Sequence, residues 1–257
     1  MNKLYCILIL LIIIFLIIRY NGINSFGENK ELFESSLVET SMHFERVNNV
    51  DNFKLTKLYD EPQIILIDNF LSNEECEHII NIGDPLVKQS EVCGKNGSRP
   101  DKSRTSWTAH IGKKFINKDS KDPILMKVLE KAAKFSKKDV KNIEPIQLVR
   151  YKPGQYFKSH YDYLDTRNPM YKDNVNRNGQ REITFFVYLN DVPEGVGGET
   201  QFTKLNKVFK AKKGQAIFWH NMKNGEVDPK TLHSGTELKE GTKYGLNIWV
   251  RDKEYKG

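Results

Sequence analysis

Only three of the 257 residues are cysteine, too few for a disulfide framework. Cys6 lies in an apolar run, so Cys76 and Cys93 form at most one optional pair, and the count selects no redox compartment. Glycine (17) and proline (9) are too sparse for a collagen-like chain. There is no internal repeat and no low-complexity tract. Acidic residues are outnumbered, 33 Asp and Glu against 40 Lys and Arg, for a net charge of +7. Such an excess ordinarily raises nucleic acid as a partner. It is concentrated between Cys93 and His160, with 17 Lys and Arg against 6 Asp and Glu. Several of these lysines (Lys127, Lys131, Lys134, Lys137, Lys138) surround a helical pattern, where a solvated face is the default reading. No RNA- or DNA-binding motif accompanies them, so nucleic acid is not the expected partner.

The sequence does contain 39% hydrophobic and 11% aromatic residues, enough for a folded core without staples. One long apolar run, Leu4 to Ile18, lies between Lys3 and Arg19. Its 15 residues span ~22 Å as a helix, short of a ~30 Å hydrocarbon core unless Tyr20 and snorkelling flanks extend it. A cleaved signal peptide and a signal anchor are both open. The absence of an A-x-A-like site after Ile18 favours the anchor, although one charge on each side gives little orientation. Residues 1–20 are therefore read as a membrane anchor, 21–60 as a polar stalk with one short helix near Lys30 to Ser41, and 61–257 as the folded domain. A sequon, Asn96-Gly97-Ser98, supports a luminal location slightly.

Within that domain, Gln63 to Asp68 is a short apolar run. Ser72 and Glu75 have capping-box spacing before a helix that buries Cys76, Ile79 and Ile80, with Gly83 placed to stop it. A second helix starts at Asp122-Pro123 and buries Leu125, Val128, Leu129, Ala132 and Phe135. After Lys141, strand-like runs follow at Ile146 to Tyr151, Glu182 to Asn190, Val208 to Lys210, Gln215 to His220 and Tyr244 to Val250. In the second run both faces are apolar, which places it inside a sandwich or barrel. The expected class is α+β: a double-stranded β-helix (jelly roll) over about 144–252, with supporting helices on its N-terminal side.

His160-Tyr161-Asp162 stands in this β region. Residues two apart on a strand share a face, so the imidazole and carboxylate can reach one metal while Tyr161 points away. The motif is weak alone. His233, 73 residues later, adds the third ligand of a two-His, one-carboxylate facial triad, the donor set of non-haem Fe(II) oxygenases. Lys243 begins the last strand. Its default reading is a solvated turn lysine, but an ammonium in an apolar barrel needs an anion, which the far carboxylate of 2-oxoglutarate would supply.

Several segments together resemble the prolyl 4-hydroxylase catalytic domain. They are Tyr151 to Phe157 running into His160-Tyr161-Asp162, Arg181 to Thr184 with Tyr188-Leu189-Asn190, Gly197 to Phe202, and His233-Ser234-Gly235 with Lys243 and Trp249. Leu71 to Cys76 and Ser103 to Ser106 are similar to the N-terminal part of the plant, algal and viral-type members. The resemblance covers roughly Gln63 to Asp252 in colinear order. It implies that His160, Asp162 and His233 ligate Fe(II), that Lys243 pairs with the C5 carboxylate of 2-oxoglutarate, and that Tyr151 and Thr200 hydrogen-bond that carboxylate. It further implies that Trp249 walls the pocket and Arg181 contacts the peptide. On spacing alone, Tyr151 and Thr200 read equally as strand and turn residues, Trp249 as core, and Arg181 as a charged strand start.

The implied activity is hydroxylation of peptidyl proline with release of succinate and carbon dioxide, ascorbate serving to maintain Fe(II). The implied substrate is a proline-rich or collagen-like segment, and the implied setting is the endoplasmic reticulum or secretory lumen. Three features depart from the family pattern: Ser159 in place of Pro before the first metal His, a long polar loop at Asp165 to Gln180, and an expanded turn at Val192 to Gly198. Both loops would border the substrate groove. The alternatives are a related dioxygenase acting on lysyl residues or nucleic acid, and a membrane-tethered binding module without turnover.

Overall fold

A computed structural model of the chain describes residues 53–94, 97–111 and 122–257. The proposed anchor, the stalk up to residue 52, Asn96 of the sequon and the side chain of Cys93 lie outside the described residues. Cys76 is a buried free thiol, and burial pushes its pKa up to about 11. Among the described residues, no helix is long and apolar enough to cross a membrane.

The strands, in chain order, begin with β1 (Lys54–Tyr59), β2 (Ile64–Asp68), β3 (Lys88–Gln89), β4 (Glu91–Gly94), β5 (Gly97–Pro100), β6 (Trp107–His110), β7 (Gln147–Tyr151) and β8 (Phe157–His160). They continue with β9 (Arg181–Tyr188), β10 (Thr200–Phe202), β11 (Lys207–Phe209), β12 (Ala216–His220), β13 (Met222–Lys223), β14 (Glu226–Val227), β15 (His233–Gly235) and β16 (Lys243–Arg251). Helices are α1 (Asn73–Gly83), α2 (Pro123–Ser136) and α3 (Pro169–Asn178). A large sheet has the order β1-β2-β12-β9-β16-β7-β6-β3, a smaller one β11-β10-β15-β8, and both are antiparallel. The sheets pack face to face through Phe186, Tyr188, Ile217 and Trp219 of the large sheet and Phe202 of the small one, in one buried cluster. The α+β class and the antiparallel sandwich agree with the sequence reading.

β9 explains why both of its faces are apolar. Phe185 stacks on Phe70 at 5.4 Å and meets Phe135 of α2 edge-on at 5.8 Å, on the helix side. On the other side Phe186 and Tyr188 enter the space between the sheets. Each such side chain contributes ~1.5–3 kcal/mol on burial, so the strand is held from both directions.

The helices follow their caps. Ser72 and Glu75 form the reciprocal capping box of α1. Asp122 accepts from the Ile124 and Leu125 N–H groups ahead of Pro123, and the five apolar positions expected in α2 are all buried. Gly83, expected as the helix stop, is the last residue of α1 and also serves close packing. It keeps a right-handed conformation, and a Cβ there would lie 2.6 Å from Leu148 Cδ2.

Two expectations change. Residues 54–59, assigned to the stalk, form the outer strand of the large sheet, paired with β2; an edge strand with a half-buried pattern carries little apolar period. The segment Asp165 to Gln180, expected to be a loop, contains α3, with Asn168 capping Met170 N–H and Pro169 in the first turn.

Candidate active site

The pairing of β15 with β8 sets His233 directly opposite His160. Asp162 follows two residues after the end of β8, is buried, and leaves Tyr161 exposed as expected. One ligand atom from each of His160, Asp162 and His233 lies within 4.8 Å of the other two. The Asp162 carboxylate is 3.9 Å from Nε2 of His160 through one oxygen and 3.9 Å from Nε2 of His233 through the other. Nδ1 of His160 is 2.8 Å from the Lys158 carbonyl, and Nδ1 of His233 is 2.8 Å from the Thr231 carbonyl. A carbonyl only accepts, so both Nδ1 atoms carry the proton and both Nε2 lone pairs face the centre. Burial drives the His160 pKa down to about 3, helped by the neighbouring His233. Burial would raise the Asp162 carboxyl, but His233, His160, Arg181 and a hydrogen bond from the Trp249 side chain together hold it below the ordinary range. Two neutral imidazoles and one carboxylate at mutual coordination distance fit a divalent metal.

The same cavity, about 500 Å³, is lined by the triad and by Lys243, Tyr151, Thr200, Arg181 and Trp249. Lys243 opens β16 opposite Tyr151 and is 1% exposed. Its ammonium lies 5.2, 5.1 and 5.5 Å from the ring centres of Tyr151, Phe186 and Tyr188. Burial lowers its pKa to about 7, with Glu199 opposing. Among the described residues no carboxylate forms a salt bridge with it, so it is a buried cation suited to a carboxylate ligand. Thr200 is buried and accepts from Tyr188 Oη at 2.8 Å, leaving its own hydroxyl proton to donate. These residues fit the distal carboxylate of 2-oxoglutarate while the triad fits Fe(II). Tyr151 is buried in the same wall.

Arg181 and Trp249 act together. Trp249 is buried, and the Arg181 guanidinium lies 3.6 Å from its ring centre. Glu144 grips Arg181 with two bonds, from Nε at 2.6 Å and Nη2 at 3.0 Å. Sequence reasoning missed Glu144, which lies on no motif. It also missed Phe186 and Tyr188 as walls of the lysine pocket, although the period of β9 places both on the face of Thr184. Gly245 is what admits Phe186: a Cβ there would meet the ring at 2.5 Å.

A facial triad and a lone buried lysine in one cavity of an antiparallel sandwich define an Fe(II)- and 2-oxoglutarate-dependent oxygenase. The sequence profile of the 2OG-Fe(II) oxygenase superfamily matches residues 146–251. The chain is 34% identical to prolyl 4-hydroxylase 1 of Arabidopsis thaliana over 79% of its length and 74% of the relative's. It is 26% identical to a putative prolyl 4-hydroxylase of Acanthamoeba polyphaga mimivirus, over 84% of this chain and 85% of that one. Among solved structures, the viral collagen prolyl hydroxylase of Paramecium bursaria Chlorella virus-1, in complex with 2OG, is similar with a TM-score of 0.53 and 29% identity. That match covers 73% of this chain and 94% of the other. The chain belongs to the prolyl 4-hydroxylase family of the 2OG-Fe(II) oxygenase superfamily, and is a 2-oxoglutarate-dependent dioxygenase.

Proposed function

We propose that the enzyme hydroxylates prolyl residues of proline-rich or collagen-like peptides, bound in an extended or polyproline II conformation. The observation that carries this reading is the aromatic lining of the cavity. Beyond the triad it is lined by Phe157, Tyr161, Tyr163, Tyr171 and Trp249, and aromatic walls suit proline rings on a rigid polyproline II chain. One buried donor lining the cavity, Arg104 Nε, has no hydrogen-bond partner among the described residues, and the carbonyls of an extended peptide are acceptors of the right kind. The names of the relatives point the same way.

Bound Fe(II) and 2-oxoglutarate supply the oxidising chemistry, with succinate and carbon dioxide as the co-products. The chain's own contribution is placement. His160 and His233 present unprotonated Nε2 atoms, Asp162 presents an ionised carboxylate, and Lys243 with Thr200 orients the cosubstrate from its far end. Arg181, over the Trp249 ring and held by Glu144, gives the cavity wall a fixed cation for the peptide.

Ascorbate is proposed as the reductant that maintains the metal. Residues 1–20 are proposed as a single-pass anchor that holds the domain in the secretory lumen, where proline-rich chains are made. The test is succinate release from residues 53–257 with Fe(II), 2-oxoglutarate and ascorbate, with and without poly-proline and collagen-like peptides. Peptide-stimulated turnover abolished by Asp162→Ala supports the reading. Turnover that no prolyl peptide stimulates sinks it and moves the search to lysyl or nucleic-acid substrates.

A further inference from the structure

Asp162 and His233 are each fastened from behind, and the two fastenings meet at Asn221. Thr184 of β9 donates its hydroxyl to Asp162 Oδ2 at 2.9 Å. Asn221, just past the end of β12, donates Nδ2 to Thr184 Oγ1 at 2.9 Å. Trp219 of β12 donates its indole N–H to Asn221 Oδ1 at 2.7 Å. Trp219 and Asn221 are at most 1% exposed and Thr184 is fully buried.

Chemistry fixes the direction of this chain. The indole N–H is a donor only, so the Asn221 oxygen must face it. The amide NH₂ must then face Thr184, whose oxygen accepts from it, and the Thr184 hydroxyl proton goes to its remaining partner, the Asp162 carboxylate oxygen. Every proton runs toward the carboxylate. Asp162 is thereby held in one rotation, its other oxygen left toward His160.

The second branch leaves Asn221 through its main chain. The Asn221 carbonyl accepts from Asp228 N–H at 3.0 Å. Asp228 begins the short 3₁₀ turn Pro229–Thr231 and caps Lys230 N–H through Oδ1 at 2.9 Å. That turn presents the Thr231 carbonyl to His233 Nδ1 at 2.8 Å. The Trp219 ring also packs edge-on against the His233 ring, with centres 4.9 Å apart.

We propose that Asn221 is a positioning residue of the iron site, coupling the orientation of Asp162 to that of His233 through the Trp219–Asn221–Thr184 chain. It touches neither metal nor substrate. Partners of this kind commonly change metal affinity by about ten- to a hundredfold when removed. The inference rests on the iron site and not on the identity of the substrate.

The test is calorimetric titration of the metal-free protein with Mn(II), a redox-stable probe, alongside thermal unfolding of each metal-free variant. Asn221→Ala and Thr184→Val are each expected to weaken Mn(II) binding about tenfold or more. Combined they should be no worse than the stronger single variant, because both cut one chain. Thr184→Ser, which restores the hydroxyl, is expected to bind as the native protein does. Wild-type affinity in Asn221→Ala, or losses that multiply in the double variant, overturn the proposal. So does a loss of affinity that only tracks a fall in the melting temperature of the metal-free protein. Should Asn221→Ala fail to fold, Trp219→Phe keeps a ring against His233, removes the donor and carries the same expectation. A native protein that binds no Mn(II) removes the metal site itself, a separate result from failure of the chain.

Discussion

At the scale of single residues, Lys243 decides how the site depends on pH. Its ammonium is buried with no salt bridge among the described residues, and its pKa falls from 10.5 to about 7. A lysine lowered on folding costs stability while it is charged. The ligand-free domain should therefore gain stability as pH rises from about 7 toward 10.5. A dianionic cosubstrate reverses that preference by pairing with the ammonium. Binding of 2-oxoglutarate should take up a proton at and above neutral pH, and its affinity should weaken as pH rises through about 7. Calorimetry in two buffers of different ionisation enthalpy measures the uptake directly; an equal heat in both refutes the pairing. Lys243→Ala should raise the KM for 2-oxoglutarate by about a hundredfold or more, the scale of a broken buried ion pair of ~3–5 kcal/mol. Asp162→Ala should lose metal and turnover while remaining folded, as circular dichroism would show.

At the scale of elements, the caps and close approaches are the exposed points. Asp122 holds two α2 N–H groups and also faces His78 Nε2 at 2.7 Å across to α1. Asp122→Ala should destabilise the domain by ~0.5–2 kcal/mol, read as a shift in denaturant midpoint without a change of slope. Gly83→Ala should cost ~1–3 kcal/mol, because the added methyl meets Leu148 in the β7 layer. A helix stop alone would tolerate alanine at a few tenths of that. Helix α3 shows why one element was not legible. It has the same cap-then-proline start as α2, but its sequence is polar and has no apolar stripe to mark a buried face. It is held from outside: Arg251 donates to Asn174 Oδ1 at 2.9 Å and to the Gly179 carbonyl at 2.5 Å, and Asn178 accepts from Lys256 N–H at 2.9 Å. Those partners lie more than 70 residues away in sequence, beyond any local period.

At the scale of the whole molecule, one buried carboxylate just ahead of β7 ties the start of β9 to the end of β16. Glu144 accepts from Arg181 and from Arg251, each Nε at 2.6 Å. Burial would raise the Glu144 pKa, but the two guanidiniums hold it below its ordinary 4.5. Its contribution to stability is therefore complete above that value and is lost as pH falls through the lowered one. Arg251→Ala leaves the carboxylate half-paired and releases α3 and the tail. The expected loss is ~3–5 kcal/mol, with acid unfolding beginning at a higher pH than in the native protein.

What the sequence determined by itself was the local chemistry: the two capped helices, the strands with strong apolar period, and the identity of the triad, whose residues sit in motifs of restricted spacing. It also supplied Lys243, Tyr151, Thr200, Trp249 and Arg181, which the structure brings to one cavity. Only the tertiary structure decided which polar side chains stand behind them. Glu144 and Asn221 occur at positions that no motif marks, and each acts through a partner on another element. Hydrogen bonds and ion pairs in a buried site are set by which strands are neighbours, and that order, β12-β9-β16, comes from burying both faces of β9 at once. The pairing of His233 with His160 has the same origin: two short strands with almost no pattern of their own are aligned by the sheet that closes around them.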